Sequence, residues 1–134
     1  MASPIINIIS NSNFESRKTT KRLIQKLKQH HFTPTTTLSP KAELTITVGG
    51  DGAFIKAVNR INFSSTPIVG INTGHLGFYQ EINPDRLDAF IEDYKNKNYH
   101  IEALPILGAE IYTNQKKFYV QAINEIVLKA QNSK

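Results

Sequence analysis

The stretch Leu44-Thr45-Ile46-Thr47-Val48-Gly49-Gly50-Asp51-Gly52 decides the fold. Its first five residues are apolar or β-branched, the composition of a strand buried inside a sheet. Gly49-Gly50-Asp51-Gly52 then ends the strand abruptly, because glycine reaches turn conformations closed to other residues. From Ala53 to about Asn59 the chain reads as a helix, with Phe54, Ile55 and Val58 facing inward. A buried strand that passes through a glycine-rich turn into a helix is the building unit of an α/β layer.

The flanking segments repeat that unit. Ile5–Ile9 is a short apolar run closed by the loop signature Ser10-Asn11-Ser12-Asn13. From Phe14 to about His30, Leu23, Ile24 and Leu27 fall on one helical stripe while the basic residues lie mostly elsewhere. Pro34 interrupts the β-branched Thr33–Leu38, which therefore reads as an edge strand or loop. Ile68-Val69-Gly70-Ile71 is a third strand, followed by the turn Asn72-Thr73-Gly74. Asn83 suits a helix cap and Pro84 the first helical position, with Leu87, Phe90, Ile91 and Tyr94 on the buried face. The fold class is α/β: an open, mostly parallel sheet with flanking helices, spanning residues 1–98.

Residues 99–134 differ. Ile101–Tyr112 and Phe118–Lys129 are β-rich and are separated by Asn114-Gln115-Lys116-Lys117, a hairpin turn. Two adjacent strands do not make a stable sheet alone. This part reads as the first strands of an incomplete second, all-β domain.

Composition sets the outer limits. The 134 residues are 40% hydrophobic and 20% charged, the balance of a globular chain. Without cysteine, disulfide frameworks and thiolate zinc sites are excluded. No signal-peptide pattern opens the chain, and no apolar run reaches the ~20 residues of a membrane span. The expectation is a cytoplasmic protein with no membrane partner. The net charge of +5 concentrates between Arg17 and Lys28 and at Lys95, Lys97, Lys116 and Lys117. Such a surface attracts nucleic acid or phosphorylated small molecules, but it is read here as solvated helix faces and turns, with no nucleic-acid partner.

Three segments could do chemistry. Gly50 and Gly52 let a ligand approach the backbone, and a helix start offers free N–H groups to phosphate. Asp51 at the same mouth would repel phosphate unless it holds a sugar hydroxyl or takes its proton. The alternative is a tight turn with a helix-capping aspartate. The segment is neither GxGxxG nor a P-loop. Asn72-Thr73-Gly74-His75-Leu76-Gly77-Phe78 follows another strand end, so it belongs to the same sheet edge. Asn72 and Thr73 can hydrogen-bond a ligand, and Phe78 or Tyr79 can stack on a base; the alternative is an asparagine turn with core aromatics. Asn124-Glu125 interrupts the apolar Val120–Leu128. Strand neighbours point to opposite sides, so one of the pair should face a polar site such as a ribose, unless the strand has a solvent edge. His75 has no second histidine at helical spacing, so no metal ligand is assigned. His30, His31 and His100 read as surface or packing residues.

These three segments, in this order, resemble the NAD kinase family from about Leu44 to Leu128. The glycine-rich turn is shared with diacylglycerol and sphingosine kinases and with phosphofructokinases; the second segment is far more specific. The resemblance implies phosphoryl transfer from ATP or polyphosphate to the adenosine-ribose 2′-hydroxyl of NAD, with magnesium or another divalent cation accompanying ATP. It implies Asp51 as general base or hydroxyl-orienting group, and Phe78 in the adenine pocket with His75 close by. Asn124 and Glu125 would hold the adenosine or nicotinamide side, and Gly50 and Gly52 would admit phosphates. Ala53 departs from the threonine usual in the family. Family members are roughly twice as long and assemble as dimers or tetramers. The 134 residues alone are therefore expected to be weakly active or inactive.

Two other readings stand beside this one. A lipid kinase of the diacylglycerol type would carry a different glycine-rich segment in place of Asn72–Phe78. A non-catalytic nucleotide- or nucleic-acid-binding module would use the Arg17–Lys28 helix and survive loss of Asp51.

Overall fold

The computed structural model describes residues 3–60, 66–74, 82–104, 110–113, 116–119 and 125–130. Strand β1 (Ile5–Ser10) runs into helix α1 (Phe14–Gln29), and β2 (Thr33–Thr35) follows. Then come β3 (Leu44–Gly49), α2 (Asp51–Arg60) and β4 (Ile68–Asn72). A short 3-10 turn, Pro84–Arg86, leads into α3 (Leu87–Lys95), and β5 to β8 are Tyr99–Leu104, Glu110–Thr113, Lys116–Tyr119 and Glu125–Ala130.

Six strands form one sheet in the order β2-β1-β3-β4-β8-β5. Every pairing is parallel except β5 with β8. Pro34 lies on the edge strand β2, where a missing N–H is tolerated. β6 and β7 pair separately as an antiparallel hairpin. Residues 99–134, read from sequence as the start of another domain, thus supply β8 and β5 to the edge of this sheet as well as the hairpin.

Burial on both faces explains the unbroken apolar runs. All six residues of β3 are buried, the environment of a central parallel strand. Ile6, Ile8, Leu44, Ile46, Val48, Val69 and Ile71 share a core with Leu23 and Leu27 of α1 and Leu87, Phe90 and Ile91 of α3. A bidentate contact of Lys26 Nζ with Asp88, at 3.0 and 2.9 Å, joins the two helices at the surface. Alternation along the strands turns Asn7, Ile9, Thr45 and Thr47 to the opposite face. There α2 packs against β3 and β1 with Ala53, Phe54 and Ala57 buried. Asn7 is buried because its amide is satisfied: Nδ2 donates to the Ser39 carbonyl at 3.1 Å and Oδ1 accepts from Ser39 N–H at 2.9 Å. Those bonds tie the loop after β2 to β1.

The helix ends follow local chemistry. His31 takes the left-handed conformation, φ 70°, just past α1. Its N–H donates to the Lys28 carbonyl and that of Phe32 to the Leu27 carbonyl, which closes the helix in a Schellman arrangement. Asn83 Oδ1 accepts from Asp85 N–H at 2.9 Å, with Pro84 next in the turn, as the sequence predicts.

Candidate functional site

Two of the three expected segments meet. β3 and β4 are parallel neighbours in a register that sets Gly49 opposite Asn72. Both strands therefore stop at the same level, on the carboxyl rim of the sheet where ligands bind in open α/β folds. The Thr73 N–H donates to the Gly49 carbonyl at 3.1 Å, stitching the two turns together.

Each turn is shaped by identifiable groups. Gly49 has φ +154°, and a Cβ built there would stand 2.7 Å from Ala53 Cβ and 3.0 Å from Asn11 Nδ2. Glycine is required at that position by conformation and by space. A Cβ on Gly50 or Gly74 would meet nothing within 4 Å among the described residues. The positive φ of the turn falls on Gly49.

The helix starts earlier than the sequence suggests. Asp51 is the first residue of α2, where the expected start was Ala53. The physical reason is the Gly50 carbonyl, which accepts from Phe54 N–H at 3.1 Å and closes the first helical turn. Asp51 thus opens the helix rather than sitting in the turn. The N–H groups of Asp51, Gly52 and Ala53 have no acceptor four residues back within the helix, and they carry the positive end of its dipole. Ala53 is buried, and its methyl packs beside Gly49.

On the second turn, Asn72 Oδ1 accepts from Gly74 N–H at 2.9 Å, an Asx turn. The Asn72 amide nitrogen makes no hydrogen bond among the described residues. The Thr73 hydroxyl is 2.7 Å from Ser16 Oγ, so one of its bonds is committed to α1. His75 and Phe78 lie outside the described residues.

The third segment is placed differently. Asn124 lies outside the described residues. Glu125 is the first residue of β8, two before Val127, and Val127 pairs with Ile68 at the start of β4. By that register Glu125 belongs to the amino ends of the parallel strands, away from Gly49 and Asn72. Six residue levels at about 3.3 Å each separate Glu125 from Asn72 along the strand direction, roughly 20 Å. Gly49 and Asn72 thus share one rim, while the backbone of Glu125 stands toward the amino ends of the parallel strands.

Sequence reasoning missed the contributions of Asn11 and Ser16 to the rim. The signal for Ser16 was present: Ser16, Thr20, Leu23 and Leu27 follow one helical stripe, and all four are buried.

The glycine-rich rim can now be set against known proteins. Residues 6–99 match the family model described as the ATP-NAD kinase N-terminal domain. The chain belongs to the NAD kinase family. The NAD kinase of Finegoldia magna is 44% identical over 133 residues, covering 98% of this chain and 49% of its own length. The NAD kinase of Bacteroides fragilis is 34% identical over 92 residues, which is 69% of this chain and 32% of its own. This NAD kinase family chain thus spans about half the length of its Finegoldia relative. Among solved structures, an Archaeoglobus fulgidus NAD kinase in complex with ATP aligns with TM-score 0.58 and 17% identity, over 74% of this chain and 42% of that one. Yeast NADH kinase complexed with NADH aligns with TM-score 0.61 and 12% identity, over 94% and 47%. Both share the NAD kinase fold with this chain.

Proposed function

We propose that the protein of which this chain forms part transfers a phosphoryl group from ATP or polyphosphate to the adenosine-ribose 2′-hydroxyl of NAD, giving NADP. The observation that carries this reading is the junction of Gly49-Gly50-Asp51 with Asn72-Thr73-Gly74 at one sheet rim, in a chain of the NAD kinase family. The Asp51 carboxylate orients the hydroxyl and accepts its proton. The ribose oxygen bonds to the terminal phosphorus as the bond from that phosphorus to its bridging oxygen breaks. The donor leaves as ADP or as a polyphosphate shortened by one unit, and Asp51 returns the proton to solvent. Gly50 and Gly52 admit the phosphates, and the free N–H groups at the start of α2 offset their charge.

Asn72, Thr73, Gly74, His75 and Phe78 belong in this proposal to the adenosine side. Asn124 and Glu125 hold the adenosine or nicotinamide side of the dinucleotide. Among the described residues no three carboxylates or histidines gather into a metal cage. The magnesium ion accompanies the donor, held by phosphate oxygens as part of the substrate. No helix among the described residues is long and apolar enough to cross a membrane; a cytoplasmic location and a homo-oligomer complete the proposal. The 134 residues alone are proposed to be weakly active or inactive, with residues 99–134 the first strands of a β domain.

The test is the identity of the acceptor. The complete protein of which this chain forms part is incubated with radiolabelled ATP, magnesium and either NAD or diacylglycerol vesicles, and the products are resolved. Label in a 2′-phosphomonoester of NAD supports the proposal; label in the lipid overturns it in favour of the lipid-kinase reading.

A further inference from the structure

A buried hydroxyl reaches the rim from α1. Ser16, in the first turn of that helix, is wholly buried, and its Oγ lies 2.7 Å from Thr73 Oγ1. Serine adds little to helix stability, and a buried hydroxyl needs a hydrogen-bond partner. Among the described residues Thr73 supplies it.

The backbone around Thr73 is fixed without Ser16. The Thr73 N–H donates to the Gly49 carbonyl at 3.1 Å, and Asn72 Oδ1 accepts from Gly74 N–H at 2.9 Å. The chain that leaves the sheet after Asn72 is back beside it at Ile82. There Asn72 N–H donates to the Ile82 carbonyl at 2.8 Å, and Ile82 N–H donates to the Gly70 carbonyl at 3.1 Å. These bonds set where the turn begins and where its segment closes, but none of them sets the side-chain rotamer of Thr73. Three staggered wells are open to a threonine, and the bond to Ser16 selects one.

The pair holds two hydroxyl protons and one bond. Ser16 is sealed from solvent, and its side chain has no other hydrogen bond among the described residues. Thr73 is partly exposed at the rim. The arrangement that leaves no buried donor unused has Ser16 donating to Thr73, with the Thr73 O–H turned outward.

We propose that Ser16 is a positioning residue for the phosphoryl acceptor: it locks Thr73 so that the Thr73 hydroxyl donates to a hydrogen-bond acceptor on the adenosine of the dinucleotide. This role rests on the NAD kinase reading above. Ser16 touches no substrate, because it is buried, and it acts through one rotamer of one neighbour. Its loss therefore weakens binding of the dinucleotide and leaves the chemical step at Asp51 in place.

The experiment is steady-state kinetics of the complete protein, with NAD varied at saturating ATP and magnesium, then ATP varied at saturating NAD. Ser16→Ala is expected to raise KM for NAD about fivefold to tenfold, with kcat and KM for ATP held within about twofold. Thr73→Val should raise KM for NAD at least as much. The double variant should do no worse than Thr73→Val alone, because Ser16 acts only through Thr73. As a control, Lys26→Ala breaks the surface tie of α1 to Asp88 without touching the hydroxyl pair, and KM for NAD should stay within about twofold. An equal rise in Lys26→Ala and Ser16→Ala would trace the effect to a loosened helix and overturn the role. Additive effects of the Ser16 and Thr73 changes would overturn it as well, as would a lowered melting temperature with unchanged KM in Ser16→Ala. If Ser16→Ala does not fold, Thr73→Val carries the test from its partly exposed site, and an unchanged KM for NAD there overturns the role. A wild type that forms no NADP removes the NAD kinase reading and this role with it. NADP formation with an unchanged KM for NAD in Ser16→Ala removes the role of Ser16 alone.

Discussion

Ser16 and Thr73 are 57 positions apart, and their hydroxyl oxygens lie 2.7 Å from each other. Ser16 is fully buried in the first turn of α1, and Thr73 follows the end of β4 on the rim. The bond couples α1 to the turn that faces the glycine-rich segment. Ser16→Ala leaves the Thr73 hydroxyl without that partner and is expected to cost about 1–2 kcal/mol in urea unfolding. Ser16→Ala/Thr73→Val removes both ends and should cost less than the sum of the two single changes. Strict additivity would show that the hydroxyls do not interact.

Gly49→Ala and Gly50→Ala separate shape from access. At Gly49 the new methyl meets Ala53 and Asn11 in a backbone conformation unsuited to alanine, so stability should fall by about 1–3 kcal/mol. At Gly50 the methyl meets no atom of the described residues within 4 Å. Gly50→Ala should leave the melting temperature within a few degrees while weakening NAD-dependent phosphoryl transfer. The reverse ranking in thermal melts would contradict the assigned geometry.

Thr45 is 1% exposed, and its Oγ1 has no partner among the described residues. Valine keeps the shape and removes the orphaned hydroxyl. Thr45→Val is therefore expected to stabilise the chain by about 1 kcal/mol. A loss of stability in denaturant titration would mean that the hydroxyl is in fact bonded.

The Tyr94 hydroxyl donates to Glu43 Oε2 at 2.5 Å. Burial, then the hydrogen bond and charge of Glu43, raise its pKa well above the ordinary tyrosine value. In the unfolded chain the phenol ionises near pH 10. Above that pH the unfolded state binds fewer protons than the folded one, so stability falls as pH rises. Below about pH 10 this contribution is fully present. Between pH 8 and 10.5 wild type should lose more stability than Tyr94→Phe; parallel losses would remove Tyr94 from the account.

Much of this architecture was legible because its signals are local. The apolar run at Leu44–Val48, the proline at Pro34 and the cap at Asn83 each act within a few residues, and the strands and cap stand where those signals put them. The start of α2 was misplaced because the glycines looked like turn, whereas a single backbone bond from Phe54 to Gly50 draws Asp51 into the helix. The pairing of β8 with β4 was not legible, since parallel partners distant in sequence leave no periodic trace. For the same reason Asn124-Glu125 read as a neighbour of Asp51, although the register carries Glu125 to the other end of the strands. Asn72 was read as a residue that hydrogen-bonds a ligand or closes an asparagine turn, and its oxygen does close that turn by accepting from Gly74 N–H.

The central claim is that the carboxylate of Asp51 acts on a ribose hydroxyl at the Gly49–Asn72 junction. Its most direct test is Asp51→Asn, with transfer of labelled phosphate to NAD and NAD affinity measured side by side on the same preparation. The account predicts a fall of about 10²–10⁴ in the transfer rate, with NAD affinity changed less than threefold. Transfer at the wild-type rate by the asparagine variant would contradict it.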